Sequence, residues 1–309
     1  MRGLVIKSTG SWYRVKLDEP HKELIEVDAR IRGKFKLEDK KITNPIAVGD
    51  FVSLVEISGE YIIEGIEDRQ NYIIRKSPKK KHHDHLIASN VDQAVMIATM
   101  KQPKTSLGFI DRFLVTLEAY RIPGIIIFNK MDLLNEEEKD EVGYLCFMYE
   151  QKVGYKCLQS SFLKEGLTDE FLNLFKAKKT LLSGHSGAGK STLINLLLPD
   201  VDQKISDISA FANKGVHTTT FAEMFYLDTD SAIIDTPGIK ELGLAEIEPE
   251  ELAHYFPEMR AFLGECKFHN CLHVNEPGCV VKFAVEEGKI PGERYYGYLS
   301  MLEGDDNRR

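Results

Sequence analysis

No apolar run in the sequence approaches the roughly 20 residues that a membrane-spanning helix requires. The N-terminus, MRGLVIKSTGSWYRV, also lacks the apolar block of a secretory signal. Cysteine is sparse, with five in 309 residues, and in a chain without an export signal this favours a reducing compartment. We therefore predict a cytoplasmic protein without a membrane partner. Nothing in the sequence indicates oligomerisation, so we expect a monomer.

Positive charge is also in deficit, since a formal net charge of −8 by itself disfavours a nucleic-acid partner. The deficit is uneven, because residues 1–81 hold 17 Lys and Arg against 13 Asp and Glu. Five basic residues in this part form a candidate RNA contact: Arg75, Lys76, Lys79, Lys80 and Lys81. A solvated linker explains this segment equally well. Contact with a phosphate backbone nevertheless depends on local potential more than on net charge.

The N-terminal region lacks any useful helical period. It contains five short β-branched and aromatic segments separated by turn residues: GLVIKS, WYRVKL, LIEVDA, FVSLVEI and YIIEGI. This pattern predicts a small Greek-key barrel such as an OB-fold, which often binds nucleic acid, over residues 1–72. Strand counting alone leaves other small β-barrels open.

Strand-like and helical segments alternate after a basic linker at residues 73–89. The strand-like DQAVMIAT and GIIIF enclose the helical FIDRFLVTLEAY, and further strands and helices follow up to about residue 200. Such alternation predicts a parallel sheet covered by helices on both faces. We assign this α/β domain to residues 73–245. The tail, residues 246–309, has a cysteine-histidine cluster and a final segment, ERYYGYLSMLEG, that reads as a helix.

A phosphate-binding loop is indicated by GHSGAGKS, which satisfies GxxxxGKS between a strand-like and a helical segment. In such a loop the backbone amides surround the phosphates, the lysine contacts the β- and γ-phosphates, and the serine hydroxyl binds Mg²⁺. The predicted nucleotide contacts are Gly184, His185, Ser186, Gly187, Ala188, Gly189, Lys190, Ser191 and Thr192. Lys190 is also the predicted catalytic cation, and Ser191 the first magnesium ligand.

Two further segments complete the phosphate end of a nucleotide site. IIDTPG places Asp235 at the end of a strand, where it can hold the Mg²⁺ shell, and Gly238 where its amide can sense a γ-phosphate. GVHTTTF offers three threonines, of which Thr219 is taken as a magnesium ligand. The spacing does not select it over Thr218 or Thr220.

Base recognition is indicated by NKMD, residues 129–132, after the strand GIIIF. The Asp132 carboxylate can accept hydrogen bonds from N1–H and the 2-amino group of guanine, which adenine lacks. Asn129 would brace the loop and the Lys130 stem would cover the ring. The predicted contacts are Asn129, Lys130, Met131 and Asp132, with Ser160 and Ser161 of QSSF closing over the base.

The order of these motifs is inverted, because NKMD precedes the phosphate loop. The termini of a GTPase domain lie close together, so the chain can be joined there and reopened elsewhere without moving a strand. Here the opening falls between DTPG and NKMD. The sequence therefore predicts a complete but circularly permuted GTPase site that binds GTP, GDP and Mg²⁺.

The tail carries the pattern Cys266-x4-Cys271-x-His273-x5-Cys279. Three thiolates and one imidazole form a closed tetrahedral site, so we predict one structural Zn²⁺ and no catalytic role. His269 is a competing ligand, but it would crowd between the first two cysteines. A disulfide is disfavoured by the predicted compartment.

The whole chain resembles the RsgA (YjeQ) family of circularly permuted bacterial GTPases. The resemblance is carried by the N-terminal barrel pattern, NVDQ, FIDRFLV, NKMD, the phosphate loop, HTTT, DTPG and the cysteine-histidine tail. It implies late maturation of the small ribosomal subunit, contact with its rRNA, GTP hydrolysis stimulated by the subunit, and release timed by hydrolysis. Contacts with other assembly factors are compatible with it.

The resemblance also bears on catalysis. Many GTPases place a water-orienting Gln after the DxxG glycine, whereas this chain has Ile239. The family resemblance implies that the switch histidine, His217, orients the water instead; a loop residue without catalytic weight is the alternative. An alternative function is a GTP-gated RNA-binding checkpoint protein in which hydrolysis is incidental.

Overall fold

The computed structural model describes residues 1–18, 25–31, 45–76, 84–198, 222–235 and 247–304. Contacts divide the chain into two compact units. The first comprises residues 1–94, 167–183 and 191–241, and the second comprises residues 95–166, 184–190 and 242–309. These units do not follow the three domains assigned from the sequence, so the boundaries at residues 72 and 245 remain predictions.

The N-terminal part of the first unit is a closed five-stranded barrel. Its strands are β1 Arg2–Ser8, β2 Tyr13–Leu17, β3 Glu26–Ile31, β4 Phe51–Ile57 and β5 Glu60–Ile66. They pair in the order β1-β2-β3-β5-β4, and β4 pairs back with β1 to close the sheet. Among the pairings described in this barrel, only that of β3 with β5 is parallel. The strand order confirms the OB-fold that strand counting left open.

Alternation along the strands fills this barrel. In β2, Tyr13, Val15 and Leu17 are buried, whereas Arg14 between them is exposed. Because successive side chains of a strand point to opposite faces, an apolar residue at every second position produces one buried face. The barrel core consists of Val5, Tyr13, Val15, Leu17, Ala29, Ile46, Val52, Leu54 and Ile63.

The segment assigned to a basic linker includes two paired strands, β6 Tyr72–Lys76 and β7 Asp84–Ser89, which form an antiparallel ladder. The Ser89 hydroxyl at the end of β7 donates to the carboxylate of fully buried Asp50 at 2.5 Å. Asp50 also accepts from the Arg69 guanidinium at 2.7 Å. A buried charge requires such partners, so this junction fixes the end of β7 against the residue preceding β4.

The first unit also contains β11 Lys179–Gly184, β12 Glu223–Tyr226 and β13 Ala232–Asp235, which continue the sheet of the barrel. β11 and β13 are parallel, as expected. β12 is antiparallel to β13, which departs from the purely parallel sheet predicted above. The short turn that joins β12 to β13 explains this, because parallel neighbours need a long crossover. β12 also pairs with β1, where Lys7 and Glu223 form an ion pair at 3.0 Å.

The second unit contains β8 Gln93–Ala98, β9 Gly124–Phe128 and β10 Lys156–Gln159, with β9 parallel to β10. It also contains α1 Leu107–Ala119, α2 Glu136–Phe147 and α3 Phe162–Glu165, whereas the first unit contains α4 Asp169–Phe175 and nearly all of α5 Lys190–Leu197. A capping box between Asn135 and Glu138 starts α2, and three glutamates in its first turn favour the positive end of the helix dipole. One π-helical segment, Met148–Val153, extends α2.

The C-terminal part of the second unit contains a 3-10 helix, Leu252–Tyr255, followed by α6 Pro257–Arg260, α7 Val280–Glu286 and α8 Gly292–Leu302. α8 confirms the helix predicted for the final segment. The core here is Val115 of α1 together with Leu252, Ala253, Phe256, Met259, Cys279, Val281, Ala284, Ile290, Tyr298 and Met301. Across the described ranges, no helix combines the length and apolar character needed to span a membrane.

Candidate functional site

The predicted phosphate loop, residues 184–191, begins at the last residue of β11 and runs into the first turn of α5. The Lys190 ammonium donates to the carbonyl oxygens of Gly184 at 2.6 Å and His185 at 2.9 Å. The Ala188 amide donates to the His185 carbonyl at 3.1 Å, which closes a tight turn. Lys190 is therefore folded back over the loop backbone and keeps its charge beside the amides that would surround a phosphate.

Asn129 joins the base-recognition segment to this loop. Its Nδ2 donates to the Ala188 carbonyl, 59 residues away in the chain, at 2.9 Å. Its Oδ1 accepts from the Phe162 amide at 3.2 Å. A Cβ at Gly189 would come within 2.3 Å of the Asn129 Nδ2, so glycine permits this approach. The structure thus brings together the two motifs whose order along the chain is inverted.

The other residues of NKMD lie in a tight turn after β9. Lys130 has a left-handed backbone, with φ of 64°, and its ammonium donates to the Gln102 carbonyl. The Met131 amide donates to the Ser160 carbonyl at 3.1 Å. Asp132 is exposed on a single 3-10 turn, Met131–Leu133, which leaves its side chain accessible to a ligand.

Ser160 and Ser161 lie beside this turn, as predicted. Both are buried, and the Ser160 amide donates to the Phe128 carbonyl at 2.9 Å. The Ser161 carbonyl accepts from the first turn of α3. The loop after β10 is therefore held against the loop after β9, at the carboxyl ends of two parallel strands, where ligands bind in open α/β sheets.

The predicted magnesium ligands are described in part. Asp235 is the last residue of β13, and its Cα is the register partner of Leu182 on β11. Ser191 is exposed and Thr192 half-buried in the first turn of α5. Thr219, Gly238 and His217 lie outside the described residues.

The predicted RNA contact is also described only in part. Arg75 and Lys76 are the last two residues of β6, with His85 and Asp84 as register partners. Lys79, Lys80 and Lys81 lie outside the described residues. The roles of these five basic residues remain predictions.

The four predicted zinc ligands form one cluster in the C-terminal part of the second unit. Their donor atoms all lie within 4.8 Å of one another. The His273 Nδ1 is 3.6 Å from the Cys266 Sγ, 3.5 Å from the Cys271 Sγ and 3.3 Å from the Cys279 Sγ. Around tetrahedral Zn²⁺, sulfur and nitrogen ligands are about 3.6 Å apart, so the donor set fits the metal. Burial lowers the pKa of His273, which favours the neutral, ligating imidazole.

Groups around the cluster hold the ligand segment in place. The hydroxyl of Tyr295 donates to the His273 carbonyl at 2.6 Å, and that of Tyr298 to the Leu272 carbonyl at 2.7 Å. The Glu276 carboxylate accepts from the Leu272 and Val274 amides, both at 2.9 Å. Sequence reasoning missed these groups. The available signal was the one-turn spacing of the two tyrosines on the predicted final helix.

Comparisons with known protein families match two consecutive ranges of the chain. The family described as "RsgA GTPase" matches residues 66–245, and "RsgA N-terminal domain" matches residues 2–60. The chain is 53% identical over its full length to the complete small ribosomal subunit biogenesis GTPase RsgA of Cytophaga hutchinsonii. It is 49% identical, over 98% of its length and 96% of the relative, to the protein of that name from Bacteroides fragilis. The chain belongs to the RsgA GTPase family.

Solved structures agree. The structure of YjeQ from Thermotoga maritima superposes with a TM-score of 0.76 at 33% identity, covering 98% of this chain and 97% of that one. YloQ, described as a circularly permuted GTPase, gives a TM-score of 0.74 at 29% identity, covering 100% and 96%. The predicted fold class is therefore confirmed: an N-terminal barrel, a circularly permuted GTPase domain and a C-terminal cysteine-histidine region.

Membership of the RsgA family makes the chain a GTP-hydrolysing enzyme of the P-loop type, for which GTP, GDP and Mg²⁺ are the implied substrate, product and cofactor. The individual contacts assigned to the nucleotide, and zinc in the cysteine-histidine cluster, remain proposals.

Sequence reasoning also missed a buried charged cluster in the second unit. Arg294 of α8 is fully buried, and its Nη1 donates to the Asp111 Oδ1 of α1 at 2.6 Å. Its Nε donates to the Glu258 Oε1 of α6, also at 2.6 Å. The Tyr149 hydroxyl donates to the Asp111 Oδ1 at 2.9 Å. The sequence predicted a helix over FIDRFLV but no role for Asp111, because a partner 183 residues away leaves no local signal.

Proposed function

We propose that this GTPase acts in the cytoplasm, as a monomer, on the small ribosomal subunit during its late maturation. Hydrolysis stimulated by the subunit times release, and the basic residues at positions 75–81 contact rRNA. Support for the activity comes from the Asn129 bridge, which connects the base-recognition and phosphate segments in one unit. Support for the partner comes from the names of relatives that match over the whole chain.

The phosphate end of the proposed site uses Lys190, the loop amides and three magnesium ligands. Lys190 already lies along the loop backbone, so its ammonium is placed to offset charge that develops on the β- and γ-phosphates. Ser191 and Asp235, with Thr219 of the switch segment, would hold Mg²⁺, which neutralises the phosphate oxygens when bound. The Gly238 amide would report the γ-phosphate. His217 would orient the attacking water, since Ile239 cannot.

Asp132 is the proposed guanine determinant. Replacing it with Asn should weaken GTP binding by at least about a hundredfold, because two hydrogen bonds to a charged acceptor are worth about 1.5–3 kcal/mol each. The Asn amide can donate to the carbonyl at C2 of xanthine, so XTP should bind the variant better than GTP. Fluorescence titration with labelled GDP, followed by competition with GTP, XTP and ATP, measures both effects.

Asp140→Asn is the matched control for this substitution, since Asp140 is an exposed aspartate on α2. It should leave all four affinities unchanged. An Asp132→Asn protein that kept its preference for GTP over XTP would remove Asp132 from base recognition.

The function itself is tested by GTP turnover of the purified protein, alone and with small ribosomal subunits, at two salt concentrations and with ATP as control. We expect slow intrinsic turnover, strong stimulation by subunits, and weaker stimulation at high salt because phosphate contacts release counterions. No effect of subunits on turnover would refute the ribosomal assignment.

Two variants separate catalysis from binding in this assay. Lys190→Ala should lose nucleotide binding and turnover together. His217→Ala should bind GTP normally but lose most of the stimulated turnover, and full stimulated turnover would exclude its proposed role. A variant that hydrolyses GTP slowly yet dissociates from the subunit at the normal rate would favour the alternative function, a GTP-gated checkpoint protein in which hydrolysis is incidental.

A further inference from the structure

Helix α1 makes two buried contacts through residues that are close in sequence but point to different sides. Phe109 and Asp111 are two positions apart, which places their side chains about 200° apart around the helix axis. Phe109 faces the phosphate loop, and Asp111 faces the C-terminal helix α8. Both side chains are buried. α1 therefore contacts both the phosphate loop and α8.

The first contact is an aromatic stack. The Phe109 ring lies 4.2 Å, centroid to centroid, from the imidazole of His185, and the two planes are inclined by 27°. His185 is the second residue of the phosphate loop, and its carbonyl accepts the hydrogen bond from Lys190. The stack with Phe109 therefore holds the same part of the loop backbone that positions Lys190.

The second contact is the Asp111–Arg294 ion pair, which is inaccessible to solvent. Arg294 is in turn held by Glu258, so its guanidinium has carboxylates on two sides. Gly297 lies one turn further along α8, and a Cβ there would come within 2.3 Å of the Asp111 Oδ2. α8 is thus in close contact with α1, and its position is specified by charge as well as by shape.

We propose that Arg294 is a positioning residue for nucleotide binding. It fixes α1 through Asp111, and α1 fixes the phosphate loop through Phe109 and His185. The proposal rests on the proposed function to the extent that residues 184–191 bind the phosphates.

Preorganisation of the phosphate loop determines that loosening these contacts weakens nucleotide binding. A phosphate loop binds through several backbone amides that must point to one centre, and any freedom gained by the unbound loop is lost again on binding. Loosening α1 therefore weakens binding. The loss is partial, because Asn129 holds Ala188 independently of α1. Linkage is reciprocal, so bound nucleotide must also stabilise the contact of α8 with α1.

The test compares Arg294→Lys, Phe109→Leu and the double variant by titration with fluorescent GDP. Lysine keeps the charge but cannot reproduce the guanidinium contacts with two carboxylates. Each single variant should weaken GDP binding by about tenfold, within the usual range of coupling between sites. The double variant should also bind GDP about tenfold more weakly than the unmodified protein, and not more weakly than that, because both changes act on the same connection. Phe283→Leu, an exposed position on α7, should bind as the unmodified protein does.

Three outcomes decide the matter. Single variants that lose thermal stability but keep the GDP affinity show a purely structural role and overturn the proposal, as does a hundredfold loss in the double variant. Lys190→Ala runs in parallel, and if it binds GDP normally, the assignment of the phosphate loop fails instead. Zinc content is measured throughout; if Arg294→Lys does not retain the zinc of the unmodified protein, Gly297→Ala replaces it, since it displaces Asp111 while leaving Arg294 in place.

Because the coupling between the nucleotide site and α8 is reciprocal, a measurement on α8 gives a second test of the proposal. Amide hydrogen exchange in α8 should slow when GDP binds the unmodified protein, and this protection should be absent in Phe109→Leu at saturating GDP. Equal protection in both proteins would contradict a connection through the ring stack.

Discussion

Replacing Arg294 with methionine should destabilise the second unit by about 3–5 kcal/mol, the usual cost of removing one partner from a buried ion pair. The guanidinium is fully buried between Asp111 and Glu258, so its loss leaves two carboxylates without a cation. In thermal unfolding we expect a decrease in Tm of about 10 °C. Exposed Arg14, paired with Asp28, is the control, and Arg14→Met should shift Tm by no more than about 2 °C.

The pH dependence of this effect identifies its cause. Burial raises the pKa of Asp111, and Arg294 opposes that shift. In Arg294→Met the guanidinium no longer opposes this shift, so the pKa of Asp111 in the folded state rises further above its value in the unfolded state. A carboxyl group with a raised folded pKa contributes less stability as pH rises through that pKa, and regains it as pH falls. The deficit of Arg294→Met should therefore be smaller at pH 6 than at pH 8.

Asp111→Asn combined with Arg294→Met provides an independent check, because it removes one of the two carboxylates. We expect it to be more stable than Arg294→Met alone at pH 8. Equal deficits at both pH values, or no recovery in the double variant, would show that lost packing and not uncompensated charge dominates.

Replacing Cys279 with alanine should abolish zinc binding and unfold the C-terminal part of the second unit. Its thiol is one of four clustered donors, and Cys279 also belongs to the core around Tyr298. Structural zinc contributes about 10–16 kcal/mol in zinc-finger peptides, as much as the entire stability of a typical domain. Elemental analysis should show one zinc per unmodified chain and none in the variant, and limited proteolysis should cleave the variant rapidly after about residue 250.

Two further variants separate the metal from the packing. Cys266→Ser removes a ligand that is only half-buried, and it should reproduce the loss of zinc with little direct loss of core contacts. Cys146→Ser, a half-buried cysteine outside the cluster, should retain one zinc. A Cys279→Ala protein that kept stoichiometric zinc would refute the predicted ligand set.

Local patterns predicted most of the elements. The alternation of YRVKL predicted β2, the run GIIIF predicted β9, and FIDRFLVTLEAY predicted α1, because each depends on residues within a few positions. β12 was missed, since EMFY is too short to show a period. β6 and β7 were missed because the basic residues between and within them predicted a linker. Short strands acquire their identity from the neighbour with which they pair.

Site residues divide in the same way. The phosphate loop, NKMD and the cysteine-histidine cluster were predictable because their chemistry requires fixed residue types at fixed spacing. The Phe109–His185 stack and the Arg294 cluster were not, because apolar and charged residues such as these occur throughout any sequence. Only their burial against each other gives them a specific role.

The sequence by itself determined that this chain has a guanine-nucleotide site with inverted motif order and four cysteine and histidine donors suited to a metal, since each is encoded in a short, contiguous pattern. Tertiary structure decided which strands close the barrel, how Asn129 reaches the phosphate loop, and which carboxylates enclose Arg294. The physical reason is the separation along the chain between the residues that interact. A local motif fixes its own chemistry, whereas contacts between distant residues depend on how whole helices and strands pack, and packing is a property of the folded chain.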